Sequence, residues 1–406
     1  MGFAFQDVPV AESDRTVVVR DFDACVWGTD AQEVWQELRA AGPIVHPRGD
    51  LVVATSTEAV REALASPNLF SSNPEAAYFG SDTGAIPLQI DPPDHVTYRK
   101  ILDPLFAPRR MAKRKAEVEQ LANELIDRFV ERGSCDFITE FAVPFPSAMF
   151  LRLMGLPYDD LDAFLVAKEG MIRPEGDDEE SRRAQMERTS AWIFSYFNTA
   201  LDQKAADPAE DISSYLVALE AEGRLTRAET LNILVLLIPA GLDTVTDTLG
   251  CSFAFLAQHP EHRRQLAEDL SLVPAAVEEL MRYETPVPVV NRIAMADATL
   301  DGCPVTAKQK VRVLLASPNH DPEIYDDPDT VDFRRSVNRH NAFGGGVHRC
   351  LGSHLARLEL QVAMNEWHRR IPEYRLEQGH QVRFRTALRE IPHLPLEFAP
   401  GPRTAE

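Results

Sequence analysis

Cys350 stands in the run Phe343-Gly344-Gly345-Gly346-Val347-His348-Arg349-Cys350-Leu351-Gly352. A cysteine sulfur can act as nucleophile, zinc ligand or haem ligand, and in each role the thiolate is the working form. The glycines permit tight turns and close approach of backbone to a large flat group. Residues 355–369 read as an amphipathic helix. The sulfur would then lie at a helix N-terminus, where the peptide dipole and free N–H groups favour negative charge.

Three other runs could do chemistry. In Ala240-Gly241-Leu242-Asp243-Thr244 an acid and an alcohol sit inside a long apolar stretch. Thr244 can bond the carbonyl four residues back, that of Ala240, and loosen the helix. The opening so made could hold O2 and water. Pro239 removes the bond to the Val235 carbonyl and enlarges the kink. In Asp91-Pro92-Pro93-Asp94-His95-Val96-Thr97-Tyr98-Arg99-Lys100 two prolines fix a turn and launch a helix. His95 and Arg99 are four apart, share one face, and both suit a carboxylate. Glu279-Leu280-Met281-Arg282 has a spacing that also occurs at Glu12/Arg15, Glu58/Arg61 and Glu261/Arg264. Its position sets it apart. It follows a capped helix start at 271–274, precedes Tyr283-Glu284-Thr285-Pro286, and lies upstream of the cysteine loop.

The elements that must position these residues are mostly helical. Apolar spacing and end signals predict helices over 30–41, 57–65, 108–132, 146–153, 160–169, 180–205, 212–222, 226–257, 260–268 and 273–283. Residues 44–55 read as a hairpin turning at Gly49-Asp50. Short strands are expected over 292–300, 310–315 and 394–398. No Gly/Ser-rich linker or internal repeat divides the chain, so one mainly α domain over 1–406 is expected.

Composition excludes several function classes. Net charge is −21, from 63 acids against 42 Lys and Arg, which argues against a nucleic-acid partner. The five cysteines are scattered without a C-x-x-C pair, which argues against a zinc site or a disulfide framework and fits a reducing cytoplasm. Residues 1–20 carry acids and no long apolar run, so neither signal peptide nor anchor is expected. The most apolar stretch, 231–242, is too short to span a membrane. The expectation is a soluble monomer. Arg109, Arg110, Lys113, Arg114 and Lys115 form a basic cluster on this acidic chain.

The cysteine run resembles the haem-ligand loop of the cytochrome P450 superfamily, F-G-x-G-x-H-x-C-x-G, at every fixed position. The other runs occur in that family's order, so the resemblance covers nearly the whole chain. It implies the cytochrome P450 fold, with a long central helix and small peripheral sheets. It implies haem b held by Cys350, with Phe343, Gly352 and Ala240 beside it and its propionates on His95, Arg99, Arg292 and His348. Thr244 would stabilise the bound oxidant and Asp243 would help deliver protons. Glu279, Arg282 and Arg335 would form a structural charge cluster. Tyr78, Leu236, Leu237, Ala240, Val287 and Val289 would line an apolar substrate pocket, with the loops 78–90 and 171–199 over it. The implied activity is monooxygenation of a hydrophobic small molecule. Electrons would come from external NAD(P)H through a ferredoxin reductase and an acidic ferredoxin, docking on Arg109, Arg110, Lys113 and Arg114. Two rivals stay open: a haem peroxygenase driven by H2O2, and a non-enzymatic haem sensor. The Asp243-Thr244 pair argues against both.

Overall fold

Apolar residues at helical spacing draw most of the chain into helices, and these pack on one another rather than on a large sheet. The computed structural model describes residues 22–48, 51–77, 84–336, 338–385 and 388–404. The architecture is mainly α, as the sequence predicts. One apolar cluster joins the helices Lys115–Ile126, Pro144–Met154, Thr244–Gln258, Val273–Glu284 and Ser353–Arg370. A second gathers Leu161–Ile172, Glu179–Ala206, Ile212–Ala221 and Arg227–Leu242. The functional loops lie where these two clusters meet.

A five-stranded sheet flanks them, in the order Ile44–Arg48, Leu51–Ala54, Lys310–Leu314, Val289–Ala294, Phe70–Ser71. Leu51–Ala54 and Lys310–Leu314 run parallel, and the other neighbours are antiparallel. The expected hairpin is present, although its turn at 49–50 lies outside the described residues.

Three predicted elements are divided. The helix expected over 108–132 is two helices, Pro108–Ala112 and Lys115–Ile126. Met111 packs into the second apolar cluster and Val118 into the first, so one straight rod could not serve both. The strand expected over 292–300 is really Val289–Ala294 and Ala298–Leu300, which pair with different partners. The long helix expected over 226–257 is Arg227–Leu242 and Thr244–Gln258, separated at Asp243 (φ −101°, ψ −49°). There Thr244 Oγ1 donates to the Ala240 carbonyl at 3.0 Å, the bond expected to loosen the ladder. Taken together, Arg227–Gln258 is long and apolar enough to cross a membrane, but 67% of its apolar window is buried inside the molecule. It is a core helix.

Candidate active site

The cysteine loop is pinned by backbone bonds. The Cys350 N–H donates to the Phe343 carbonyl at 2.9 Å, and the Gly344 N–H donates to Asn341 at 2.8 Å. Gly346 has φ +63°, and a Cβ there would stand 2.0 Å from the Leu64 carbonyl oxygen. Only glycine lets this loop lie directly on the helix Thr57–Ala65. The helix Ser353–Arg370 starts just beyond Cys350, as expected. Burial pushes the Cys350 thiol up, while the Gly352 backbone amide and the guanidiniums of Arg99, Arg349 and Arg357 pull it down.

Cys350 opens on a cavity of about 890 Å3. His95, Arg99, Arg292 and His348 form one part of its wall. The two imidazoles meet edge to face with centroids 4.5 Å apart. Among the described residues neither nitrogen of His95 finds a hydrogen-bond partner, nor does Nε2 of His348, although all are buried. Burial lowers the pKa of both rings, that of His348 to about 3, with Arg292 the next contributor there. Burial likewise brings Arg292 down to about 10. Arg99 already donates to Asp103 at 2.7 Å and to the Arg349 carbonyl at 2.8 Å. Asp91 Oδ1 is 3.9 Å from His348 Nε2.

The rest of the wall is apolar. Leu236, Leu237, Ala240, Val287 and Val289 line it, with Thr244 at the helix break. Ile86–Gln89 and Met171 contribute from the two expected loops, whereas Tyr78 lies outside the described residues. Asp243 is not among the lining residues. Its carboxylate is buried against Lys168 Nζ at 2.6 Å and Arg173 Nη2 at 3.8 Å. Burial alone would lower the Lys168 pKa, but the charges and hydrogen bonds of Asp243 and Glu169 together outweigh it and hold the ammonium above its ordinary value. Arg173 also pairs with Glu390. Burial raises Asp247, one turn on, well above the carboxylate range, helped by the charges of Asp243 and Glu390.

Glu279 holds Arg282 by paired bonds of 2.8 Å and Arg335 Nε at 3.1 Å, so the three expected charges form one cluster in which Glu279 and Arg282 are fully buried. The basic surface is thinner than the sequence suggests. Arg109 and Lys113 are exposed, but Arg114 pairs with Glu117 at 2.9 Å. Arg357, which also flanks the cysteine loop, is bound to Glu278 at 2.6 Å and stacks on Phe343. Against the effect of burial, bonds from His340 and Arg357 pull Glu278 down to about 2. The helix Pro108–Ala112 packs against Ser353–Arg370, which places Arg109 on the cysteine side.

The donor set fits haem. A thiol faces the cavity from one wall, orphaned imidazole nitrogens and a buried guanidinium suit two carboxylates, and the remaining wall is apolar. Sequence reasoning did not find Lys168 and Arg173, which lie about a fifth of the chain from Asp243 with no local motif. It also missed Glu359, a buried acid on the cavity wall whose pKa desolvation raises well above normal. Asp91 lay in a recognised run but carried no assigned role.

Comparison with known proteins gives matching results. A family model for cytochrome P450 matches residues 183–383. The steroid C26-monooxygenase of Mycobacterium tuberculosis is 31% identical over 380 residues, covering 92% of this chain and 95% of that protein. The vitamin D3 dihydroxylase of Streptomyces griseolus is 33% identical over 336 residues, covering 80% of this chain and 81% of that protein. The structure of a myxobacterial cytochrome P450 in complex with myristic acid superposes with a TM-score of 0.87 at 31% identity, covering 94% of this chain and 99% of that one.

Proposed function

Because the chain belongs to the cytochrome P450 family and is a P450 monooxygenase, we propose that it hydroxylates a hydrophobic small molecule with electrons from NAD(P)H, relayed by a ferredoxin reductase and an acidic ferredoxin. One observation carries this reading: Cys350, two buried imidazoles and Thr244 all open on a single, largely apolar cavity. Haem b, held by the Cys350 sulfur with its carboxylates on His95, Arg99, Arg292 and His348, would supply the O2 activation and the C–H oxidation.

The chain's own residues divide the remaining work. Phe343, Gly352 and Ala240 bound the cofactor's space. Leu236, Leu237, Val287 and Val289 exclude water and orient the substrate. Thr244 Oγ1 donates to a carbonyl, which leaves its lone pairs to accept from a water or other donor in the cavity. Asp243, held by Lys168, stands next in the chain as the group that passes protons inward. Glu279, Arg282 and Arg335 keep the polypeptide around the cysteine loop folded. Relatives named for steroid and vitamin D3 oxidation support an extended apolar body as the substrate. The working form is a single-domain monomer in the cytoplasm.

The test is the spectrum of the reduced carbon monoxide complex. The parent should show the thiolate-type band, and Cys350→His should lose both that band and the activity. A variant that kept the band would assign the ligand to another sulfur.

A further inference from the structure

Asp247 is a buried acid with no part in the chemistry described so far. It stands one turn beyond Asp243, and its N–H donates to the Asp243 carbonyl at 2.8 Å. The two carboxyls therefore project from successive turns on one face of the central helix. Asp247 is 2% exposed, and its Oδ2 has no hydrogen-bond partner among the described residues. Oδ2 of Asp243 is a second buried oxygen in the same condition. A carboxyl buried without a partner costs stability, so packing gives no reason for an acid here.

The charges around it decide its protonation. Lys168 and Arg173 act on it from the helix Leu161–Ile172 and its end, Asp243 from the preceding turn, and Glu390 from the C-terminal loop. Glu169 pairs with Lys168 at 3.1 Å and with Arg173 at 3.0 Å, and Arg385 reaches Glu390 at 3.4 Å from an exposed position. Four carboxyls thus meet three cations, and Asp247 is the one of the four for which the described residues provide no ion pair. Cys251, one turn further along, keeps a neutral thiol that donates to the Arg389 carbonyl at 3.2 Å. Arg389 and Glu284 pair at 2.8 Å and leave the balance unchanged. A buried cluster one cation short holds a proton instead. Burial, with the charges of Asp243 and Glu390, keeps the Asp247 carboxyl well above the usual carboxylate range.

The cluster has two ends. Inward, Asp243 adjoins Thr244, and Thr248, next to Asp247, donates to the Thr244 carbonyl at 2.6 Å on the cavity wall. Outward, Glu390 is half-buried and Arg385 exposed, so water meets the cluster there.

We propose that Asp247 is the proton store behind Asp243, a positioning residue that acts on the cavity only through Asp243 and Thr244. The proposal rests on the monooxygenase reading, whose reaction consumes protons as O2 is reduced. Asp243, ionised against Lys168, can deliver only a proton that it first receives. The Asp247 O–H bond breaks as its proton passes to an Asp243 oxygen. Asp243 yields that proton toward Thr244 and is a carboxylate again. Asp247, left ionised beside two other acids, takes a proton from water that enters past Glu390. One proton has then crossed from solvent to the cavity, and the cluster keeps its charge.

Infrared spectra and turnover of the holoenzyme, parent and variants, test this. At neutral pH the parent should show neutral-carboxyl stretches that shift in D2O, and Asp247→Asn should lack one of them. Asparagine keeps the shape of the neutral acid, so the carbon monoxide band and substrate affinity should match the parent. Product formation should slow by about 10²-fold, the lower end of what a positioned proton transfer is worth. It should also show a larger solvent isotope effect and a steeper fall as pH rises through neutrality. Asp247→Glu, which restores a carboxyl, should recover much of the rate. Glu390→Gln, at the outer end, should slow product formation in the same sense, and it serves even where Asp247→Asn does not fold. An unchanged set of carboxyl stretches in Asp247→Asn overturns the store. So does a parent-like rate and isotope effect in Asp247→Asn or Glu390→Gln, or an equal loss in Asp247→Asn and Asp247→Glu. The carbon monoxide spectrum of the same preparations reports on the haem-thiolate centre separately. A normal band with any of those results sinks only the store, and an absent band in the parent sinks the monooxygenase reading and the store with it.

Discussion

Lys168 Nζ lies 2.6 Å from Oδ1 of Asp243, and both side chains are buried. Lys168 belongs to the helix Leu161–Ile172, whose last residues line the cavity, and Asp243 is the joint of the broken central helix. The pair therefore ties the cover of the cavity to the residue beside Thr244. Any movement of that helix must stretch this contact.

Lys168→Met should destabilise the protein by about 3 kcal/mol, because it leaves a buried carboxylate with only the more distant Arg173. Adding Asp243→Asn should recover much of that loss. Denaturant unfolding of both single variants and the double variant measures the coupling. Strict additivity would show that the two charges do not depend on each other.

Thr244→Ala should bind substrate as the parent does but divert reducing equivalents from product to hydrogen peroxide. The hydroxyl is the polar group of the helix break that faces the cavity. Positioned proton transfer is worth about 10²–10⁴ in rate. Product formed per NADH consumed is the readout, and an unchanged ratio removes Thr244 from the chemistry.

Reversing Arg109 and Lys113 to glutamate should slow reduction by an acidic ferredoxin at low ionic strength and leave substrate affinity intact. Both are exposed, whereas Arg114 is engaged by Glu117 and Lys115 by Glu119. Electrostatic steering fades as salt is added, with a screening length of about 10 Å at 0.1 M. Stopped-flow reduction rates that ignore both the reversals and salt would place the docking surface elsewhere.

His368 should make the protein acid-sensitive. Its Nδ1 is 2.7 Å from the Met364 carbonyl and its Nε2 is 3.3 Å from the Tyr374 hydroxyl, an arrangement that suits a neutral ring. Burial lowers its pKa from 6.5 to about 4. Between those values the unfolded chain binds this proton and the folded chain does not, so stability falls as pH falls. Below about 4 both states bind it and the contribution stops changing. Across that window the parent should lose about 3 kcal/mol more than His368→Gln. A difference between the two that stays flat with pH would mean the ring is not held neutral.

What could be read without coordinates was whatever chemistry writes into adjacent residues. The cysteine run and the helix that follows it are contiguous, as are His95 with Arg99 and Asp243 with Thr244. Glu279 and Arg282 share one helical turn, and only their order in the chain pointed to Arg335. Partners chosen by packing left no such trace. Lys168 meets Asp243 across two helices, and nothing around Lys168 distinguishes it from a surface lysine. The break between Ala112 and Lys115 follows from Met111 and Val118 entering different cores, which helical periodicity alone does not report. Arg312 reads as one polar residue in a short strand until the register sets it beside Asn291 and above Phe22.

The charge cluster at Glu279 has a consequence for sequence drift. Arg282 donates to the carbonyls of Asn319, Pro328 and Thr330, and Arg335 to those of Asp326, Asp327 and Thr330. Every one of these acceptors is main chain. The two guanidiniums thus hold the stretch from 326 to 330 by its backbone position, and side-chain identity enters through Asp329, which His320 meets at 3.2 Å. Substitutions at Asp326 and Pro328 should therefore leave these contacts in place in descendants of this protein, while a single inserted or deleted residue would move the carbonyls out of reach and be purged.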